Sequence, residues 1–182
     1  MKKLTKILFV SLTTCVLITS CQEAKEILYV KFNADYQTEF EVVVPPISSV
    51  KTDIYGEFAV SETIDPNSSS EYQQYIDNII GIEINEVTGE VLSISKNVML
   101  ESAVISVMNE SYNATWEFTN EPITVGTSLT LDNSSGQWDA IENILMDKKV
   151  FTVSIAGQAD ADDVEFVVLF TLKSEVTANP LD

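Results

Sequence analysis

Asp160, Asp162 and Asp163 place three carboxylates within four residues of a turn-like stretch. Calcium draws about six to eight oxygens from loops of this kind, so the three are candidate calcium ligands. The stretch has neither the glycine nor the distal glutamate of an EF-hand loop, and a solvated acidic turn accounts for it more simply. Glycoside hydrolysis would need two carboxyl groups at a set separation, and 28 acidic residues leave no pair singled out. Trp116, Trp138, Tyr72 and Tyr75 could form a stacking platform for a sugar. Tyr72 and Trp138, however, hold matching places in the first turns of two expected helices, where packing onto a sheet explains them. Asn67, Asn109, Asn113 and Asn133 begin Asn-x-Ser/Thr triplets and serve as markers of surface loops.

Absences exclude more than presences suggest. The 182 residues contain no histidine and no arginine, and no Ser-x-x-Lys stands at the start of an expected helix. His-based triads and arginine clamps on phosphate are excluded, and neither catalytic residues nor a cofactor are expected. A formal charge of −18 opposes nucleic-acid binding, which rests on Lys and Arg neutralising phosphates. It equally opposes a polybasic grip on anionic lipid. The acids are spread along the chain, as on a solvated, self-repelling surface.

The first residues have a different character. Lys2, Lys3 and Lys6 precede the apolar run Ile7 to Ile18, and small residues follow up to Cys21. The run is about a dozen residues, whereas a helical bilayer span needs about 20. A positive n-region, an apolar h-region and a small-residue cleavage site make a secretory signal. Ile18-Thr19-Ser20-Cys21 resembles the lipobox of bacterial lipoproteins, a resemblance that covers about the first 22 residues. It implies cleavage between Ser20 and Cys21, a diacylglyceryl group on the Cys21 thiol and acylation of the new amine. Gln22, in place of the aspartate that favours inner-membrane retention in some enteric lipoproteins, implies sorting to the outer membrane. On this resemblance residues 1–20 are a removed signal, 21–26 a lipidated tether and 27–182 one domain. Cys15 then leaves with the signal and Cys21 carries lipid, so the mature chain has no thiol for catalysis, disulfides or structural zinc. Its formal charge becomes −21 on losing three lysines. Two or three acyl chains hold where one is marginal, so the lipid does the anchoring.

The rest of the chain reads mostly at period two. Leu28, Val30 and Phe32, then Phe40, Val42 and Val44, predict two strands joined by a turn at Asn33-Ala34-Asp35 and closed by Pro45-Pro46. Ile54, Phe58 and Val60 predict a third. Ser68 and Glu71 form a capping box, Tyr72, Tyr75, Ile76 and Ile79 a helical stripe and Gly81 a C-terminal cap, predicting a short helix near 68–80. Strands follow at Ile82 to Ile84, Val91 to Ile94, Met99 to Val107, Thr115 to Phe118 and Val125 to Leu131, with turns at Thr88-Gly89 and Asn109 to Asn113. A second helix is predicted near 134–147, with Ser134 and Gln137 as capping box and Lys148 and Lys149 beyond its C-terminus. The two Asn-Ser-Ser-helix segments look alike, and convergence of two caps explains this better than duplication does. Phe151 to Ile155 and Val164 to Leu172 predict a hairpin turning at 157–163, its second strand central in a sheet, with a tail from Val176.

The architecture expected is a single antiparallel β-sandwich, immunoglobulin-like in general build, with two short helices; a closed barrel is the alternative. The function expected is that of a lipid-anchored, non-enzymatic envelope module that binds a protein or glycan or plays a structural part. The alternative is a small carboxylate-dependent hydrolase of the periplasm or cell surface.

Overall fold

A computed structural model describes residues 29–46 and 56–181. Eight strands carry the fold: β1 (Val30–Val44), β2 (Gly56–Ile64), β3 (Ile79–Ile94), β4 (Val98–Met108), β5 (Asn113–Ile123), β6 (Ser128–Thr130), β7 (Phe151–Ala159) and β8 (Val164–Ala178). Among the described residues two α-helices interrupt them, α1 (Ser70–Tyr75) and α2 (Gln137–Met146). The first sheet has the order β1-β8-β3-β6 and the second β2-β7-β4-β5, every pair antiparallel. The chain therefore passes from sheet to sheet at each connection except β4–β5. Two packed antiparallel sheets make the expected β-sandwich, and this strand order is that of a jelly roll. Among the described residues no ladder joins the two sheets, so their strands form a sandwich and not the closed barrel of the alternative.

Period-two patterning places Phe40, Val42 and Val44 of β1 and Phe166, Val168, Phe170 and Leu172 of β8 on the inner face of the first sheet. Phe151, Val153 and Ile155 of β7 and Ile105 and Val107 of β4 line the inner face of the second. Edge-to-face ring pairs, Phe58 with Phe166 at 5.5 Å and Tyr36 with Phe151 at 6.2 Å, cross between the layers.

Several local expectations yield to this pairing. Asn33-Ala34-Asp35 is no turn: β1 runs unbroken for 15 residues against the whole of β8. Ala34 lies buried opposite Ser174, whose hydroxyl donates to the Ala34 carbonyl at 2.6 Å. Thr88-Gly89 likewise lies within β3, which absorbs three register shifts against β8 instead of turning. Gly81 is a residue of that strand, not a helix cap. The strand expected over Val125 to Leu131 shrinks to β6, because a turn with Gly126 at φ +85° occupies its first half. The expected final hairpin is replaced by a crossover. β7 and β8 lie in different sheets, and their apolar faces meet across the core, which satisfies the same periodicity as side-by-side pairing would. The expected tail from Val176 is still β8 as far as Ala178, and β8 is central between β1 and β3.

The helices start one or more residues later than the capping boxes imply. Pro66–Ser68 forms a 3₁₀ turn, with Asp65 Oδ1 accepting from the Asn67 amide, and Ser69 then caps α1 by accepting from the Tyr72 amide. A second 3₁₀ turn, Ile76–Asn78, ends the helical stretch because Ile79 is already paired with Ala178. In α2, Asn133 Oδ1 accepts from the Trp138 amide across Gly136 at φ +79°, and Gln137 reaches back to the Ser135 amide. The two segments meet: the Tyr72 hydroxyl donates to the Leu145 carbonyl, and Asn67 Nδ2 to the Lys148 carbonyl.

Helix α2 buries Ile141, Ile144 and Leu145 and rests Glu142 against the Ile84 amide, which donates to its Oε1. Burial raises the Glu142 carboxyl above its ordinary value and nearby Asp139 and Glu83 add to this, against the pull of the amide. A carboxyl raised on folding loses native stability as pH climbs through its folded value. Glu142→Gln keeps the accepting oxygen without the charge. Solvent screens a group this exposed, so the melting temperature at pH 7 should exceed that of the parent by only about 1–2 °C. The gain should vanish in acid as Glu142 itself protonates; thermal melts at pH 4 and pH 7 check this.

The sandwich has two distinct ends. Tyr29, both helices and the β2–β3, β4–β5 and β6–β7 connections share one end. The β3–β4, β5–β6 and β7–β8 turns share the other.

Candidate binding face

With the inner faces committed to the core, each sheet has one outer face left for contact. The two outer faces differ in charge. On the first sheet, register sets Glu175 between Asn33 and Glu83, Lys173 between Asp35 and Glu86, and Leu169 between Glu39 and Glu90. Lys31 pairs with Glu175, and Lys173 with Glu86 at 2.7 Å. These hydrogen bonds, with their partners' charge, raise both ammonium groups above their ordinary value. Exposed pairs of this kind contribute little to stability, and the face stays strongly acidic.

The outer face of the second sheet contrasts with it. Its registers give four rows from β2 through β7 and β4 to β5: Thr63, Thr152, Met108 and Asn113; Ser61, Ser154, Ser106 and Thr115; Ala59, Ala156, Val104 and Glu117; Glu57, Gln158, Ser102 and Thr119. Two of these sixteen positions are charged, and both lie on edge strands. The central strands β7 and β4 present only short or uncharged side chains. Ser106 and Ser154 bond hydroxyl to hydroxyl at 2.8 Å, which satisfies them without water. Val104 and Met108 stand out from β4 at 38% and 40% exposure. Beside them, Ala59, Ser61, Ser154 and Ala156 leave a trough of about 300 Å³ over β2 and β7. Strands that face solvent on one side alternate apolar with polar residues, and here the polar positions are almost all uncharged in a chain of charge −18.

Other depressions among the described residues lie outside this face. A cleft of about 600 Å³ on the first sheet, at the end away from the helices, has Val43, Ile94 and Val167 along its floor and Glu41 and Glu165 beside them. These two carboxylates project side by side from neighbouring strands of one sheet, not from opposing walls. A groove of about 270 Å³ between β5 and the start of α2 brings in Glu117 and Asp132, below the roughly 300–1,000 Å³ of small-molecule sites.

The aspartates considered for calcium lie in the β7–β8 turn. Asp160 Oδ1 accepts from the Met99 amide, the Asp162 carbonyl accepts from Lys96 Nζ, and Asp163 adopts φ +52°. No group of three or more potential ligands among the described residues could hold a metal ion. The aromatics considered for stacking do not share an exposed face. Tyr72 and Trp116 are buried, Trp138 is half-buried with its Nε1 donating to the Leu131 carbonyl, and Tyr75 packs on Phe32. Asn109 and Asn133 are loop residues with bonding roles, Asn67 lies in the 3₁₀ turn and Asn113 begins β5; Asn109 Oδ1 accepts from the Ser111 and Tyr112 amides in the β4–β5 turn. Ser20 and Cys21 lie outside the described residues.

The neutral face carried a sequence signal. Ser102, Val104 and Ser106, and likewise Thr152, Ser154 and Ala156, are the alternate, non-core positions of their strands, where charge would be expected.

No protein-family model and no curated protein matches the chain in sequence. Solved structures that match include the decameric capsid protein of BFDV, at 10% identity and TM-score 0.43, covering 81% of this chain and 99% of that one. Another is from Desmodium yellow mottle tymovirus, at 4% identity and TM-score 0.33, covering 85% and 90%.

Proposed function

We propose that this chain is a bacterial envelope lipoprotein, held by acyl chains on Cys21 and sorted to the outer membrane, whose β-sandwich is a non-enzymatic module that binds another macromolecule through the outer face of its second sheet. The observation that carries the binding role is the confinement of charge on that face to the edge strands, with Val104 and Met108 exposed on the central strand β4. The anchor rests on the resemblance of Ile18-Thr19-Ser20-Cys21 to a lipobox. The fold is compatible with it: Tyr29 lies at the helical end, and the seven residues between it and Cys21 allow a separation of at most about 28 Å. The second sheet is then presented sideways and the short turns face away from the bilayer. Among the described residues no helix is long and apolar enough to cross a membrane.

Growth with a fatty-acid analogue tests the anchor. The full chain should carry label and partition with membranes, and Cys21→Ser should lose both. Label retained on Cys21→Ser would refute lipidation at this residue. Protease added to intact cells then reports the side of the membrane: digestion places the partner outside the cell, protection in the periplasm.

A further inference from the structure

We propose that the partner of the neutral face is a second copy of this chain, packed sheet against sheet about a two-fold axis. The proposal rests on the reading of that face as a binding surface and is independent of the anchor at Cys21.

Shape supplies the first argument. A two-fold interface must be self-complementary, with residue i meeting j and j meeting i. Val104 on β4 stands beside a trough floored by Ala59 and Ala156, and rotation of one copy onto another lets each Val104 enter the other's trough. Short side chains on β7 and β2 allow the sheets to approach closely, as sheets do in the core of a sandwich.

Charge supplies the second. Two molecules of charge −18 repel, and the rows of the first sheet's outer face carry Glu39, Glu90 and Glu83. The outer face of the second sheet lets two copies meet without opposing charges at the centre, because Glu57 and Glu117 lie on its rims. Four strands at about 4.8 Å and seven residues at about 3.4 Å give a patch of roughly 20 by 25 Å. Both copies together then bury on the order of 1,000 Å², the lower bound for a specific interface and the mark of a weak dimer. Long-range repulsion is screened within about 10 Å at 0.1 M salt and about 3 Å at 1 M, so association should strengthen with salt.

Two differently tagged copies of the full chain, co-expressed and extracted in detergent, test this by co-purification. Wild-type copies should co-purify, more completely in about 0.5 M than in about 0.05 M salt. Val104→Glu in both copies, or Ala156→Lys in both, should lower recovery at least about tenfold, since like charges are then buried against each other or left unpaired. A Val104→Glu copy mixed with an Ala156→Lys copy should regain it, because the new carboxylate meets the new ammonium across the axis. That rescue also shows that both variants are folded. Co-purification unchanged by Val104→Glu would reveal shared micelles and overturn the proposal, as would failure of the wild-type copies to co-purify at either salt. Cys21→Ser copies should associate as well as wild type, so a failed anchor and a failed dimer give different results.

Discussion

Gly157→Ala should destabilise the fold by about 3 kcal/mol, the upper range of overpacking costs, and lower the melting temperature by roughly 6–12 °C. A Cβ at this position would lie 2.3 Å from the Ser102 carbonyl oxygen, 2.9 Å from the Ala103 Cα and 2.9 Å from Phe58 Cζ. The phenyl ring can give way, but the other two atoms are β4 backbone and β4 is fixed by β5 on its far side. The constraint is one of space, since Gly157 has no left-handed φ. Gly81→Ala is the control. Nothing lies within 4 Å of its added methyl, and alanine there should be neutral or raise stability by up to about 1 kcal/mol through the unfolded chain. Urea denaturation followed by circular dichroism measures both. A Gly157→Ala midpoint equal to that of Gly81→Ala would show that β4 can move aside. Displacement of β4 would also shift Val104, so Gly157→Ala should weaken self-association even where it folds.

The two-sheet class was legible in the sequence because alternation of apolar residues survives in any β arrangement. Which strands pair was not, and the misreadings share a cause. Asn33-Ala34-Asp35 and Thr88-Gly89 have turn-forming residues, but both lie opposite β8, and a 15-residue ladder outweighs a local preference for turning. The β7–β8 connection looks like a hairpin because Phe151 to Ile155 and Val164 to Leu172 alternate on either side of an acidic turn. Nothing in either strand distinguishes a neighbour in the same sheet from a partner across the core. Helix existence was legible from the capping residues, whereas the caps themselves slipped. Ser69 replaces Ser68 at the cap of α1, and Gly136 replaces Ser134 at the cap of α2, with Asn133 Oδ1 taking the Trp138 amide, since the start of each helix is set by where the preceding segment leaves the sheet. The neutral face was visible only as missing charge at alternate positions, and it becomes a face once four strands are set in register. Chemistry-bearing residues drew attention first, and the face that distinguishes this molecule has almost none.

Tyr72→Ala should cost about 3–5 kcal/mol, as for other buried aromatic truncations, and lower the melting temperature by roughly 6–20 °C. Tyr72 is fully buried, and its hydroxyl ties α1 to the Leu145 carbonyl near the C-terminus of α2. That carbonyl is one of the last in its helix, which the helix itself leaves without an i+4 donor. The Lys148 amide also donates to it at 3.0 Å, so Tyr72→Phe leaves the oxygen one partner and should cost only about 1 kcal/mol. The gap between the two variants separates ring packing from the hydrogen bond. Alkaline pH supplies a second separation. Burial pushes the Tyr72 phenol up to about 12 and raises that of Tyr36 as well. A phenol raised on folding contributes stability that is complete below its unfolded value near 10 and is lost as pH rises toward the folded value. Wild-type stability should therefore fall between pH 10 and 12, and Tyr72→Phe, which keeps only the Tyr36 share, should fall less steeply. Parallel slopes for the two proteins would mean that Tyr72 ionises without opening the helical end.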